Sequence, residues 1–207
     1  TMTAHFILSD LDYFAGWRWM SEGDIERART CFARLFERDH VSRETWNNVG
    51  SALAENGLGE SAVAYFQRAQ HVDPTYVLAR QNLAITYFNL ERWAEAKVAV
   101  ESVLEHRRRD RRFLFLLGDI YRNLGRPREA VNVYSTITLL DGEDVEPYLR
   151  AAETYELDLF DKDAARELLG LAVQIKPDHV VARHRLQQLG DHEHTHVAGG
   201  HAPAPGR

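Results

Sequence analysis

Residues 43–74 read RETWNNVGSALAENGLGESAVAYFQRAQHVDP, and their spacing decides the fold. Trp46, Val49 and Leu53 fall on one face of a helix. Gly50 carries no side chain, so a second helix packs closely against the first. Gly57 marks the turn, and Ala62 lets the second helix approach. Phe66 and Ala69 fill the groove between the two, and Pro74 stands where the second helix has to stop.

The same set returns at a step of 34 residues. One step forward gives Leu83, Ala84, Tyr87, Ala96, Val100 and Val103. Two steps give Leu117, Gly118, Tyr121, Gly125, Ala130, Tyr134 and Ile137. One step back gives Ala15, Gly16, Trp19, Gly23, Ala28, Phe32 and Leu35. Three steps forward give Ala151, Ala152 and Tyr155. One extra residue then enters the turn near Phe160, and Ala165, Leu169, Ala172 and Pro177 complete the set.

These residues follow the pattern W-x2-L-G-x2-Y…A-x3-F…P, with Val49 in the Leu place and Leu53 in the Tyr place. The chain resembles the tetratricopeptide repeat family over about nine tenths of its length. The resemblance implies an all-α fold, a right-handed α-solenoid of five helix pairs with a C-terminal capping helix. Residues 1–8 are expected as a lead-in, with Ser9 or Asp10 capping the first helix and the second helix running from Ile25 to about Arg38. The solenoid is expected over 9–190, with repeats at 9–42, 43–76, 77–110, 111–144 and 145–178 and the capping helix at 179–190. Residues 191–207, mostly His, Gly, Pro and Ala, are expected to be disordered. No such cap precedes the first repeat, where Tyr13, Phe14, Trp17 and Trp19 would expose an apolar patch.

Bulk properties narrow the function. The chain has 207 residues, 44% of them hydrophobic, enough for stacked helix pairs that bury their faces against neighbours. A net charge of −6 argues against general nucleic-acid binding. One cysteine excludes an internal disulfide framework, and Cys31 reads as a packing residue. No run of apolar residues is long enough for a transmembrane helix, and the first residues lack the basic region of a secretory signal. The expected location is therefore cytoplasmic, although Thr1 ahead of Met2 leaves a removed export signal open. Lysine occurs only at 97, 162 and 176, an arginine bias that by association points toward a GC-rich bacterial genome. No nucleophile elbow, phosphate-cradling loop or zinc-protease motif is present, so no enzyme and no cofactor are expected.

The family resemblance further implies that the first helix of each pair lines a concave groove. One groove position then holds Phe14, Asn48, Asn82, Leu116 and Arg150 in successive repeats. Asparagine at that position forms, in the family, a ladder along the backbone of an extended peptide. An amide offers a donor and an acceptor, as a peptide unit does. Two rungs are present, Asn48 and Asn82. The other groove positions grade from apolar to charged. Tyr13, Phe14, Trp17 and Met20 lie at the N-terminal part, with Gln81, Ile85, Phe88 and Phe115 in the middle. Arg112, Asp119, Arg122, Arg150, Glu153 and Glu156 lie at the C-terminal part. The aromatic groups would grip apolar ligand side chains, and the charges would meet a ligand or pair among themselves.

The family's carboxylate clamp for chaperone C-termini requires a Lys where this chain has Tyr13, Asn47 or Gln81, so that clamp is not expected. Residues 28–105, with Phe32-Ala33-Arg34-Leu35 and Asp39-His40, also resemble the type III secretion chaperones that hold translocator proteins. The run Arg107 to Arg112 reads as helix-terminus charge, with an acidic or phosphorylated partner as the alternative. His192, His194, His196 and His201 suit weak adventitious metal binding, without a fixed site. The leading expectation is a protein-interaction adaptor holding a peptide or protein partner in the groove. A self-assembling scaffold joined through the first repeat, and a secretion chaperone, are the alternatives.

Overall fold

The structure, a computed structural model, describes residues 2–38 and 41–197, with side chains described over 11–38 and 41–190. Its helices are α1 (Met2–Ser21), α2 (Ile25–Ala33), α3 (Arg43–Glu55), α4 (Gly59–Val72), α5 (Val77–Asn89) and α6 (Trp93–His106). They continue as α7 (Arg111–Asn123), α8 (Pro127–Leu140), α9 (Glu146–Leu157), α10 (Lys162–Ile175) and α11 (Val180–Val197). A 3-10 turn, Arg34–Glu37, follows α2. No strand forms among the described residues. The all-α class expected from the 34-residue step is therefore observed. The chain divides into two compact units, Thr1–Val103 and Leu104–Arg207.

In the first unit α1 packs on α2, α3 on α4, and α4 on α5. The close approach comes from glycine. A Cβ at Gly16 would lie 2.3 Å from the Phe32 ring, and one at Gly50 would lie 2.7 Å from the Phe66 ring. Phe36, Trp46 and Tyr65 join the 3-10 turn to the second pair, with ring centroids 4.8 to 5.8 Å apart. In the second unit α7 packs on α8, α8 on α9, α9 on α10, and α10 on α11. Gly118 lies against Tyr134 as Gly50 does against Phe66. Val145, Leu149, Ala165, Leu169 and Ala182 form the core beneath α11.

Local chemistry sets the helix ends. Asp24 accepts the Arg27 N–H, Ser42 the Thr45 N–H, and Asp161 the Ala164 N–H, each capping the helix that follows. Pro127 occupies the first turn of α8. Each turn inside a helix pair holds one residue at positive φ: Gly23, Gly57, Glu91, Gly125 and Phe160. The first four are 34 residues apart, and Phe160 comes one residue late. The turn 158–161 thus contains the extra residue expected near Phe160.

Three boundaries differ from the sequence expectations. Helix α1 starts at Met2, so residues 2–8 are helical and not a lead-in, and Ser9 and Asp10 lie inside the helix. Nothing from Met2 to Leu8 is glycine or proline, so nothing there breaks a helix. Helix α11 passes through Gly190 to Val197, so 191–197 is helical where disorder was expected. An interior glycine costs a helix about 1 kcal/mol, which slows but does not stop it. The second helix, expected to reach about Arg38, gives way to the 3-10 turn after Ala33. Residues 198–207, with His201, lie outside the described residues, as do Asp39 and His40.

Candidate functional site

In the first unit the residues expected at the groove lie on α1, α3 and α5. Tyr13 and Phe14 meet edge-on at 5.4 Å, and Tyr13 and Trp17 at 6.2 Å. Phe14 is 65% exposed and Trp17 37% exposed, and Trp17 also leans edge-on against Phe32 at 6.4 Å. Leu11, 58% exposed, adds to this apolar surface, although the repeat positions gave no reason to select it. Trp19 adds little to it: the residue is half-buried, and the Arg27 guanidinium sits 4.6 Å over its ring. Met20 is buried.

The two asparagines differ. Asn48 is exposed and makes no hydrogen bond among the described residues. Asn82 is half-buried, and its Nδ2 donates to Asn47 Oδ1 at 2.9 Å and to Ser51 Oγ at 3.2 Å. Asn47 is buried, so α5 is tied to α3 through a partly buried polar link. The side-chain oxygen of Asn82, like both polar groups of the Asn48 amide, makes no hydrogen bond among the described residues. Ile85 and Phe88 are half-buried, and Phe88 meets Trp93 edge-on at 5.2 Å. Gln81, expected at the groove, is 7% exposed and presents almost no surface.

In the second unit the expected groove charges other than Arg112 are engaged in pairs. Asp119 on α7 accepts the Tyr134 hydroxyl at 2.6 Å and Arg150 Nη1 at 3.1 Å. Arg150 on α9 also donates from Nε to Glu146 at 2.8 Å. Arg122 donates to Asp158 at 2.7 Å and to Glu153 at 3.2 Å. Arg185 on α11 reaches Glu156 at 3.0 Å and the Leu149 carbonyl at 3.4 Å. Asp119, Arg122 and Arg150 therefore tie α7 to its neighbours and are not a free charged lining. Burial pushes the Tyr134 pKa up, and its bond to Asp119 pushes it further. Partial burial acts to lower the Arg122 pKa, but Asp158 and Glu153 outweigh it and hold the group above its usual value. The hydrogen bond to Glu146 is the main reason that the Arg150 pKa is raised. Arg112 is exposed, its guanidinium 4.9 Å over the Phe113 ring, and Phe115 is half-buried beside Tyr134.

Among the described residues no group of three His, Cys, Asp or Glu side chains is placed to hold a metal ion. None of the helices searched is long and apolar enough to cross a membrane. Cys31 is buried, as expected of a packing residue.

Comparison with known proteins agrees with this geometry. Sequence models described as tetratricopeptide repeat match residues 16–76, 53–114 and 112–144. A human Protein O-mannosyl-transferase TMTC3 is 35% identical over 85 residues, 41% of this chain and 9% of that protein. A Peroxisomal targeting signal receptor of Saccharomyces cerevisiae is 29% identical over 89 residues, 43% of this chain and 14% of that protein. The chain thus spans well under a fifth of either relative. Among solved structures, YrrB, described as a TPR protein with an unusual peptide-binding site, superposes with a TM-score of 0.65 at 22% identity. That match covers 83% of this chain and 88% of YrrB. MamA superposes with a TM-score of 0.68 at 17% identity, over 84% of this chain and 94% of MamA. These two share the fold, an α-solenoid of tetratricopeptide helix pairs.

Proposed function

Because the chain belongs to the tetratricopeptide repeat family, we propose that it is a protein-interaction adaptor whose first unit holds an extended peptide along α1, α3 and α5. The observation that carries this reading is Asn48, an exposed amide with no hydrogen bond among the described residues, beside an Asn82 already oriented by Asn47 and Ser51. A side chain held in place before binding loses less freedom when it meets a ligand. Phe14, Trp17, Ile85 and Phe88 offer apolar contacts beside these amides. The peptide-binding site ascribed to YrrB supports the reading by analogy. Selection from a random peptide library, followed by calorimetry, tests it. Asn48→Ala is expected to weaken a selected peptide roughly twofold to tenfold without loss of stability, the worth of one net hydrogen bond. Asn82→Ala is expected to lower both affinity and stability, because it also breaks the link to α3. Unchanged affinity in the double variant would exclude the asparagine face as the site.

A second reading is self-assembly through α1, favoured by the exposure of Leu11, Phe14 and Trp17 on one helix. Sedimentation over a range of concentrations is expected to show a dimer that Phe14→Glu with Trp17→Glu disperses. A chain that stays monomeric at every concentration would sink this reading.

A further inference from the structure

The turn between α6 and α7 carries the densest positive charge in the chain. Arg107, Arg108, Arg109, Arg111 and Arg112 fall within six consecutive residues, in a chain with 25 basic residues and a net charge of −6. Arg111 is committed, to Asp141 at 2.7 Å and to Asp144. Arg107 reaches only Asp110, at 3.9 Å. Arg108 and Arg109 are exposed and make no ion pair or hydrogen bond among the described residues. Arg112 is exposed and touches only the Phe113 ring. Residues 105–110 line a shallow, open depression of about 590 Å³.

The scaffold does not account for these arginines. One repeat before Arg107 stands Asp73, and one repeat after it stands Asp141. Each of those aspartates pairs with the arginine that opens a first helix, Arg43 and Arg111. In the third pair the opening residue is Val77, and the charge at 107 is reversed. A cation after a helix C-terminus is favoured by the dipole, but one suffices, and adjacent like charges repel. An arriving anion relieves that repulsion.

We propose that this turn docks an acidic peptide segment, a run of Asp and Glu on a partner protein. Guanidinium groups bind carboxylates through paired parallel hydrogen bonds, and several neighbouring ones suit several successive carboxylates. The arginines follow one another along an open turn, and such a succession suits a string of carboxylates better than a lone phosphate. A long nucleic acid would meet the net negative charge of the remaining chain, whereas a short acidic segment meets only the turn. The site shares no residue with the asparagine face, and the proposal stands or falls independently of it.

Fluorescence anisotropy of a labelled octaglutamate peptide with the full chain at low salt tests this. Arg108→Glu with Arg109→Glu is expected to weaken binding by at least roughly tenfold. The control, Arg128→Glu with Arg183→Glu, makes the same charge change at two exposed arginines elsewhere and is expected to matter much less. Affinity is expected to fall as salt rises. Circular dichroism confirms that both variants stay folded. The proposal is overturned if the wild-type chain fails to bind octaglutamate, or if both double variants lose affinity equally. It is also overturned if inorganic phosphate or duplex DNA competes as well as unlabelled octaglutamate.

Discussion

Gly50→Ala is expected to lower stability by about 1–3 kcal/mol, and Gly50→Val by more. Alanine is ordinarily the better helix residue by roughly 0.5–1 kcal/mol, so helix propensity alone gives the opposite sign. The sign is decided by the Phe66 ring. A Cβ at position 50 would lie 2.7 Å from Cε1 and 2.9 Å from Cδ1 of that ring. Phe66 is 1% exposed and packed between α3 and α4, so the ring cannot swing into solvent. Urea denaturation of Gly50→Ala, Phe66→Leu and the double variant checks the account. The double variant should lose less than the sum of the single losses, because the smaller side chain makes room for the methyl group. Strict additivity would mean that the ring and position 50 do not compete for space.

The second large effect is expected at Asp119. Asp119→Ala removes the acceptor of the buried Tyr134 hydroxyl and one partner of Arg150. An unpaired buried hydroxyl costs about 1–3 kcal/mol, and the half-exposed Arg150 adds little because water serves it. Asp119→Asn should be milder, since its amide oxygen still accepts the Tyr134 proton. Tyr134→Phe should cost less in the Asp119→Ala background than in the wild type. Denaturation of the four chains reads this out. Asp119 was also expected at the groove, and the same variants separate the two roles. A ligand contact would show as lost affinity at unchanged stability, whereas the network described above predicts lost stability.

The contrast between these two residues shows what was legible in the amino-acid sequence. Gly50 could be read because its reason is local: a helix face repeats every few residues, and the same face returns in each repeat. The late turn at Phe160 was legible on the same ground, as a slip of one residue against a regular step. Asp119 could be placed on α7 but its partners could not, because Arg150 is 31 residues away on another helix. Asn82 with Asn47, 35 residues apart, and Arg122 with Asp158, 36 apart, are of the same kind. Whether such side chains face a ligand or each other depends on how far one first helix turns relative to the next. A one-helix pattern does not contain that angle. A partial signal was present, since Arg43 with Asp73 and Arg111 with Asp141 repeat one charge pair at one spacing. The extents of α1 and α11 went unread for a different reason. Their outer ends lack the repeat pattern, and composition alone distinguishes helix from coil poorly there.

The residues at positive φ separate two properties that most proteins entangle. At Gly23, Gly57 and Gly125 an added Cβ would meet nothing within 4 Å, so the obstacle to a side chain there is handedness and not space. Glu91 and Phe160 accept that obstacle, holding an L side chain where roughly 1–2 kcal/mol of strain follows, and Phe160 does so at 84% exposure. All five lie in turns, off the helices that carry the asparagines and the aromatic side chains. Mutation at these turns can therefore raise or lower the durability of this chain while leaving the asparagine and aromatic helix faces unaltered.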